Sequence, residues 1–317
     1  MEQKIDLIAI VGPTASGKSH LAVELAHWLN TEIISADSMQ IYQGMQIGTA
    51  KPTLEEQEGI PHHLIDFVPP EASFSVADYV SLARVCIQTL AQRGQLPILV
   101  GGTGLYVSSL LNNVRFSTQE KDEQLCAQLT QKAQEKGAQA LVAELRVFDP
   151  QSAQRIDPRN ISRLVRAIEL YYTTGKTMTE HLEQSRTQPS PYRTCMIGLD
   201  YHDRNILYQR IDMRVQHMVQ QGLIEEANAV LSRTSGKTAL QAIGYKELIP
   251  YFSGQISLED AVAQIQRETR RYAKRQLTWF RRNPAIYWLK PDLLGSPDNV
   301  TEEAKRIITR FLQPKQV

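Results

Sequence analysis

The sequence predicts an α/β protein: a P-loop, doubly wound parallel sheet with a helical domain inserted into it. Three observations carry this. Short, β-branched apolar runs alternate with helical patterns in the N-terminal part of the chain. A glycine-rich loop joins the first run to the first helix. The strand pattern then stops near residue 116 and resumes at Cys195.

Residues 4–11, KIDLIAIV, read as a strand buried on both faces. From Ser19 to Leu29, the residues Leu21, Ala22, Leu25 and Leu29 recur at helical spacing. Residues 32–35, EIIS, give a second strand. A helical stretch at 77–92 ends before Gly94, and 96–100, LPILV, gives a third strand. From Ser117 onward the pattern is helical: Leu125 and Leu129, then Leu141 and Leu145, then Ile161, Leu164, Val165 and Ile168 up to Gly175. SRTQPSP (185–191) reads as a connector, and CMIGLD (195–200) as a returning strand. Beyond Asp200 the chain reads as largely helical, at 203–221 and 261–282. The expected division is a core of 1–116 and 195–317 around an insertion of 117–194.

With 42% apolar residues the chain is not disordered as a whole. Its 35 Lys+Arg against 34 Asp+Glu give a net charge of +1, so affinity for nucleic acid must come from a local patch. Cys86, Cys126 and Cys195 form no C-x-x-C pair, which argues against a zinc ribbon or a disulfide framework. No apolar run approaches the ~20 residues of a membrane helix. The N-terminal run flows into the glycine motif and reads as a strand, not a signal peptide. A cytoplasmic protein without membrane contact is expected.

Gly12-Pro13-Thr14-Ala15-Ser16-Gly17-Lys18-Ser19 matches the phosphate loop G-x-x-x-x-G-K-[ST]. Its backbone N–H groups and the following helix end favour an anion. Lys18 adds a positive charge, and the Ser19 hydroxyl is placed to ligate Mg²⁺. A nucleotide hydrolase usually adds a strand-end acid. Here LPILV runs into Gly101-Gly102-Thr103-Gly104-Leu105-Tyr106 instead, and no N-K-x-D guanine motif occurs.

Ligands of a doubly wound sheet sit at the carboxyl ends of its strands. Asp37 follows the second strand and reads equally as a general base or as a helix N-cap. The 101–106 loop offers the Thr103 hydroxyl, or is simply a tight turn. Residues 265–282 carry Arg267, Arg270, Arg271, Lys274, Arg275, Arg281 and Arg282 against the single acid Glu268. Positions 267, 270, 271, 274, 278, 281 and 282 share one helical stripe, with Ala273, Leu277 and Phe280 off it. Such a stripe is a solvated face or a phosphate-backbone contact. Arg210 and Arg214 share another face and could equally be paired with Asp203 or Asp212.

GPTASGKS (12–19), ISADSMQIYQGMQIGTAKP (34–52), HHLID (62–66) and VGGTGLYVSSLL (100–111) together resemble the tRNA dimethylallyltransferase (tRNA isopentenyltransferase) family, bacterial type. So do RLVRAIE (163–169), LYQRIDMRVQHM (207–218), QAIGYKE (241–247) and RRYAKRQLTWFR (270–281). The zinc-finger extension of eukaryotic relatives is missing, and Cys126 stands where bacterial relatives can carry a basic residue. The resemblance implies transfer of the dimethylallyl group from dimethylallyl diphosphate to N6 of the adenosine 3′ of a tRNA anticodon. The loop, Gly12 to Ser19, would hold the diphosphate with Arg210. Asp37 would act as base toward N6, with Thr103 and Arg214 beside the leaving group and Mg²⁺ on Ser19. Contacts to the tRNA are implied for Asp37, Ser38, Met39 and Gln40, and for Arg163 and Arg166 on the insertion against the anticodon arm. They are also implied for Gln241, Tyr245 and Lys246, and for Arg271 and Lys274. A monomer is expected. Two rivals share the loop: a small-molecule kinase, which would consume ATP, and a nucleotide-driven RNA-binding switch, which would leave RNA unmodified. The missing strand-end acid disfavours both.

Overall fold

The computed structural model of the chain describes residues 4–114, 122–185, 189–233 and 241–313. In chain order the N-terminal elements are β1 (Ile5–Val11), α1 (Lys18–Leu29), β2 (Ile33–Ser35), α2 (Leu54–Gln57), β3 (His62–His63), α3 (Val76–Gln92), β4 (Ile98–Gly101) and α4 (Gly104–Leu111). Five helices follow: α5 (Glu123–Lys136), α6 (Ala138–Phe148), α7 (Pro150–Arg155), α8 (Ile161–Thr174) and α9 (Met178–Ser185). The C-terminal part contains β5 (Tyr192–Leu199), α10 (Arg204–Gln220), α11 (Leu223–Arg233), α12 (Ile249–Phe252), α13 (Leu258–Phe280), β6 (Ile286–Leu289), α14 (Pro291–Leu294) and α15 (Pro297–Leu312).

The six strands form one parallel sheet in the order β3-β2-β4-β1-β5-β6. Every pairing is parallel because each crossover carries a helix or a longer connection. The central strand β1 is buried from Leu7 to Val11, as its unbroken apolar run requires. Ile8, Ile10, Ile98, Val100, Ile197 and Leu199 pack with Leu21, Leu25, Val300 and Ile308 of α1 and α15. A second apolar cluster joins the turn after β2 to α10, α11 and α13 through Ile41, Tyr42, Met45, Val215, Leu223 and Ile265. Local signals fix the helix ends. Ser75 and Asp78 form a reciprocal capping box at the start of α3.

Residues 112–190 form a second compact unit with its own core of Leu129, Leu141, Leu145, Leu164 and Ile168. It contains helices only among its described residues. Its limits differ from the 117–194 read in the sequence. Residue 117 lies outside the described residues, as does part of the 185–191 connector. The C-terminal limit moves because β5 starts at Tyr192: Tyr192, Arg193 and Thr194 pair with Ile5, Asp6 and Leu7 of β1. The polar Arg193 and Thr194 hide this start, and Arg193 is held there by the Asp6 carboxylate at 2.5 Å.

Two strands are absent from the sequence reading. β3 has only two residues, and β6 is a sheet-edge strand in a segment read as helical. Within the described residues, no helix is long and apolar enough to cross a membrane.

The register places Val11 opposite Gly101 and Ser35 opposite Val100. Thus β1 and β4 end on one level with β2 one residue short of it, and the three following loops share one edge. Gly101 meets its neighbour closely: a Cβ there would lie 2.2 Å from the Ala36 carbonyl oxygen, a backbone atom that cannot swing aside. Gly101→Ala is expected to destabilise the chain by about 1–3 kcal/mol through overpacking, read as a lower urea midpoint.

Candidate active site

The first loop on that edge is 12–19. Lys18 opens α1, and its Nζ donates to the Pro13 carbonyl at 2.5 Å. Burial pulls the Lys18 ammonium down from 10.5 to about 7; the Arg214 charge adds to this, while Asp37 opposes it. Among the described residues, the buried Ser16 hydroxyl finds no hydrogen-bond partner. Two arginines of α10, one turn apart, close on the same loop. Arg210 Nε donates to the Ala15 carbonyl at 3.0 Å, and Arg214 donates to Thr14 Oγ1 at 3.2 Å. The alternative ion pairs are taken otherwise: Asp212 binds Arg270, and Asp203 caps α10. Burial lowers the Arg214 pKa, with Asp37 and Glu56 opposing.

The second loop carries Asp37. Its Oδ1 accepts the amides of Met39 at 2.9 Å and Gln40 at 3.4 Å. No helix follows, so the carboxylate caps a turn and not a helix. Among the described residues, Oδ2 accepts no hydrogen bond, and Asp37 lines the same cavity as Lys18 and Arg214. Gln40 is spent on structure: its amide donates to Thr49 and Ala50 carbonyls at 3.3 and 3.0 Å. The third loop supplies Thr103, whose Oγ1 accepts the Ser38 amide at 3.0 Å and faces Ser38 Oγ at 3.3 Å. Its visible work is to hold the Asp37 turn.

These loops border a cavity of about 310 Å³. It is lined by Lys18, Ser19 and Asp37 at the strand ends, with Arg214 and the aliphatic Ile211, Val215 and Met218 from α10 and Ile265 from α13. A broader groove of about 880 Å³ runs along the other side of the phosphate loop. Lys18, Ser19, Ala50, Arg214 and Met218 line both spaces, so the two meet at the cations.

The residues expected at the RNA are placed unevenly. Met39, Gln241 and Lys246 line the cavity. Tyr245 does not fit a direct contact: it is 0% exposed, and its hydroxyl donates to Glu226 at 2.8 Å. Burial and the Glu226 charge push the Tyr245 phenol far above its usual pKa. It is a core residue because the chain needs an aromatic wedge under the 46–48 turn. There Glu226 accepts the amides of Gln46, Ile47 and Gly48 within 3.0 Å.

On α13, Ala273, Leu277 and Phe280 are buried as expected. The cationic stripe is only partly available. Arg270 pairs with Asp212, while Arg281 reaches Asp200 at 2.6 Å. Burial works against the Asp200 charge, but Arg281 and Lys290 more than offset it and hold the carboxyl below its ordinary pKa. Arg271, paired with Glu268, stays 63% exposed, and Lys274 is exposed. In the insertion unit Arg163 is exposed and Arg166 pairs with buried Glu169.

Two cavity residues escaped the sequence reading. Gln276 is 5% exposed and bonds to both the first and third loops. Tyr272, one turn earlier, faces Thr103, Gln276 and Asp37, and burial raises its phenol pKa. The available signal was a polar residue, Gln276, inside the apolar face set by Ala273, Leu277 and Phe280.

Comparison with known proteins matches residues 40–283 to the family model described as IPP transferase. The tRNA dimethylallyltransferase of Bacillus subtilis is 48% identical over 97% of this chain and 97% of its own length. That of a Thermoanaerobacter species is 46% identical over 98% of both. Among solved structures, the full-length tRNA isopentenylpyrophosphate transferase of Bacillus halodurans is 44% identical with a TM-score of 0.73, covering 98% of this chain and 97% of that one. A eukaryotic dimethylallyltransferase captured acting on tRNA is 30% identical with a TM-score of 0.82, over 98% of this chain and 81% of that one. The sheet order, the loop-lined cavity and these matches agree, and the chain belongs to the IPP transferase family.

Proposed function

We propose that this chain transfers the dimethylallyl group of dimethylallyl diphosphate to N6 of the adenosine immediately 3′ of a tRNA anticodon. The observation that carries this reading is one cavity faced by both an anion-binding loop and an unpaired carboxylate oxygen, at Lys18 and Asp37. The names and titles borne by the relatives support the same activity. We take the chain to work as a cytoplasmic monomer.

The chemistry follows from the charges. The N6 lone pair attacks the allylic carbon, a C–N bond forms, and the bond to the diphosphate oxygen breaks. Negative charge then grows on the leaving diphosphate. The first-turn amides of α1 have no helical partner and, with Lys18, Ser16, Arg210 and Arg214, supply donors fixed before the reaction begins. Asp37 Oδ2 accepts the N6 proton. An exocyclic amine is a weak nucleophile, so holding and deprotonating it lowers the barrier. Thr103 keeps the Asp37 turn in place through Ser38. The aliphatic wall of the cavity suits a five-carbon prenyl chain.

The residues present suit a Mg²⁺ ion. The Ser19 hydroxyl lines the cavity beside Lys18. Among the described residues no cluster of three or more His, Cys, Asp or Glu could hold a metal, so phosphate oxygens and water would complete the shell, as Mg²⁺ commonly prefers. Such an ion supplies further charge against the leaving diphosphate.

The purified chain, given unmodified tRNA, Mg²⁺ and dimethylallyl diphosphate, is expected to add one five-carbon unit to an adenosine without ATP, read by nucleoside mass. Asp37→Ala should lower turnover ~10²–10⁴-fold, the usual worth of an acid–base group, with diphosphate affinity kept. ATP hydrolysis with unmodified tRNA would instead favour a kinase or switch.

Lys18 gives a second expectation. Its pKa of about 7 lies below the ordinary value of 10.5, and binding of a diphosphate would raise it. The Lys18 contribution to affinity is therefore full below about pH 7 and falls as pH climbs toward the bound-state pKa. Calorimetry at pH 8 in buffers of different ionisation heat should find about one more proton taken up on binding inorganic pyrophosphate by the wild type than by Lys18→Met.

Arg271 and Lys274 are two of the exposed cations of α13, beside Arg267 and Arg275. Changing both to Ala should flatten the salt dependence of tRNA binding by roughly 1–2 in log–log slope. An unchanged slope would make α13 a solvated face.

A further inference from the structure

We infer that Gln276 is a positioning residue that sets the distance between the diphosphate loop and the Asp37 turn. The inference deepens the prenyl-transfer reading and rests on it. Gln276 sits on the buried face of α13 and is 5% exposed. Its Oε1 accepts the Thr14 amide at 2.9 Å, and its Nε2 donates to the Gly102 carbonyl at 3.0 Å. Only one orientation of the amide serves, because the reverse would face donor with donor and acceptor with acceptor. The fit is tight. A Cβ on Gly102 would stand 2.1 Å from Nε2, so the third loop approaches this side chain as only glycine allows.

The bonds continue in both directions. Beyond Gly102, the Thr103 hydroxyl accepts the Ser38 amide at 3.0 Å, and Ser38 follows Asp37. Beyond the Thr14 amide, the Thr14 hydroxyl accepts from Arg214 at 3.2 Å. A single path therefore runs Arg214–Thr14–Gln276–Gly102–Thr103–Ser38–Asp37. Its ends are the cation expected at the leaving group and the carboxylate expected at the nucleophile. Gln276 is the one link in it that comes from α13, and it needs a donor and an acceptor together.

A reacting pair misplaced by an ångström loses much of its rate. An apolar side chain of similar volume would fill the space but leave the Thr14 N–H and the Gly102 C=O buried and unpaired, which is costly. The loop would then shift to find other partners. A carboxyl side chain behaves differently in its two forms. Ionised, it accepts from Thr14 but repels the Gly102 carbonyl. Neutral, it offers one carbonyl and one O–H and reproduces both bonds of the amide.

The test uses the full chain with Gln276→Met and Gln276→Glu, measured for prenyl transfer, inorganic pyrophosphate binding and thermal stability. Gln276→Met is expected to bind pyrophosphate about 10- to 100-fold more weakly and to lose kcat by at least as much. Its KM for tRNA should stay within about twofold. Gln276→Glu should be as poor as Gln276→Met at about pH 8 and regain activity relative to wild type toward about pH 6. Gln276→Met should gain nothing from acid. A core-filling role would lower stability in both variants without this pH-dependent recovery. Gln276→Met with wild-type pyrophosphate affinity and kcat would overturn the inference, as would a Gln276→Glu pH profile parallel to the wild type. If wild type leaves tRNA unmodified, the prenyl-transfer reading fails instead, and pyrophosphate binding still reports on the clamp.

Discussion

The register of three parallel strands is the constraint on which the rest depends. Val11 stands opposite Gly101 and Ser35 opposite Val100, so β1 and β4 stop together and β2 one residue short of them. Slip one strand by a residue and each loop rises or falls by about 3.3 Å, more than a hydrogen bond tolerates. The phosphate loop, the Asp37 turn and the Gly101–Thr103 turn could then no longer reach one another. Close packing enforces that register, because a one-residue slip would exchange the side chains fitted against α1 and α15 for those of the opposite face.

The edge alone does not make a site. Its loops are tied from the opposite side by two helices far away in sequence. α10 brings Arg210 and Arg214 to the Thr14–Ala15 backbone, and α13 brings Gln276 to Thr14 and Gly102. The two helices share an apolar seam of Leu207, Ile211, Ala273 and Leu277, and an ion pair between Asp212 and Arg270. Burial destabilises the Lys18 and Arg214 charges, repulsion from a neighbouring arginine adds to it in each case, and Asp37 opposes both. That is the electrostatic posture of a site built for a highly charged ligand.

Much of this is legible in the sequence, and the rest is hidden for definite causes. The phosphate loop is a contiguous motif whose physics is local, and the long buried strands declare themselves by apolar runs. β6 does not, since it spans four residues with Tyr287 exposed and Trp288 half-buried. Tyr245 lies in a polar stretch that reads as surface, yet its ring packs into the apolar cluster of Ile41, Tyr42 and Leu223 while its hydroxyl donates to Glu226. Gln276 is masked by the surrounding cations of α13. Its importance depends on loops more than 170 residues away, which no local pattern encodes. Asp37 lies between these cases. Its place at a strand end is visible, but only the fold of residues 38–41 into a turn decides that it caps a turn and not a helix.

The insertion returns almost to its point of departure. Asn113 Nδ2 donates to the Pro189 carbonyl at 3.1 Å across 76 residues, closing a neck within that unit. The core must pair β5 with β1, a contact between residues about as distant in sequence as any in the sheet. Such non-local pairing is slow because loop entropy is lost before contacts are gained. A helical insertion with its own core and a closed neck shortens the effective loop before that search begins. The middle of the chain thus bears on the sheet that carries the site: its local helices bring the ends of the long connection between β1 and β5 closer together.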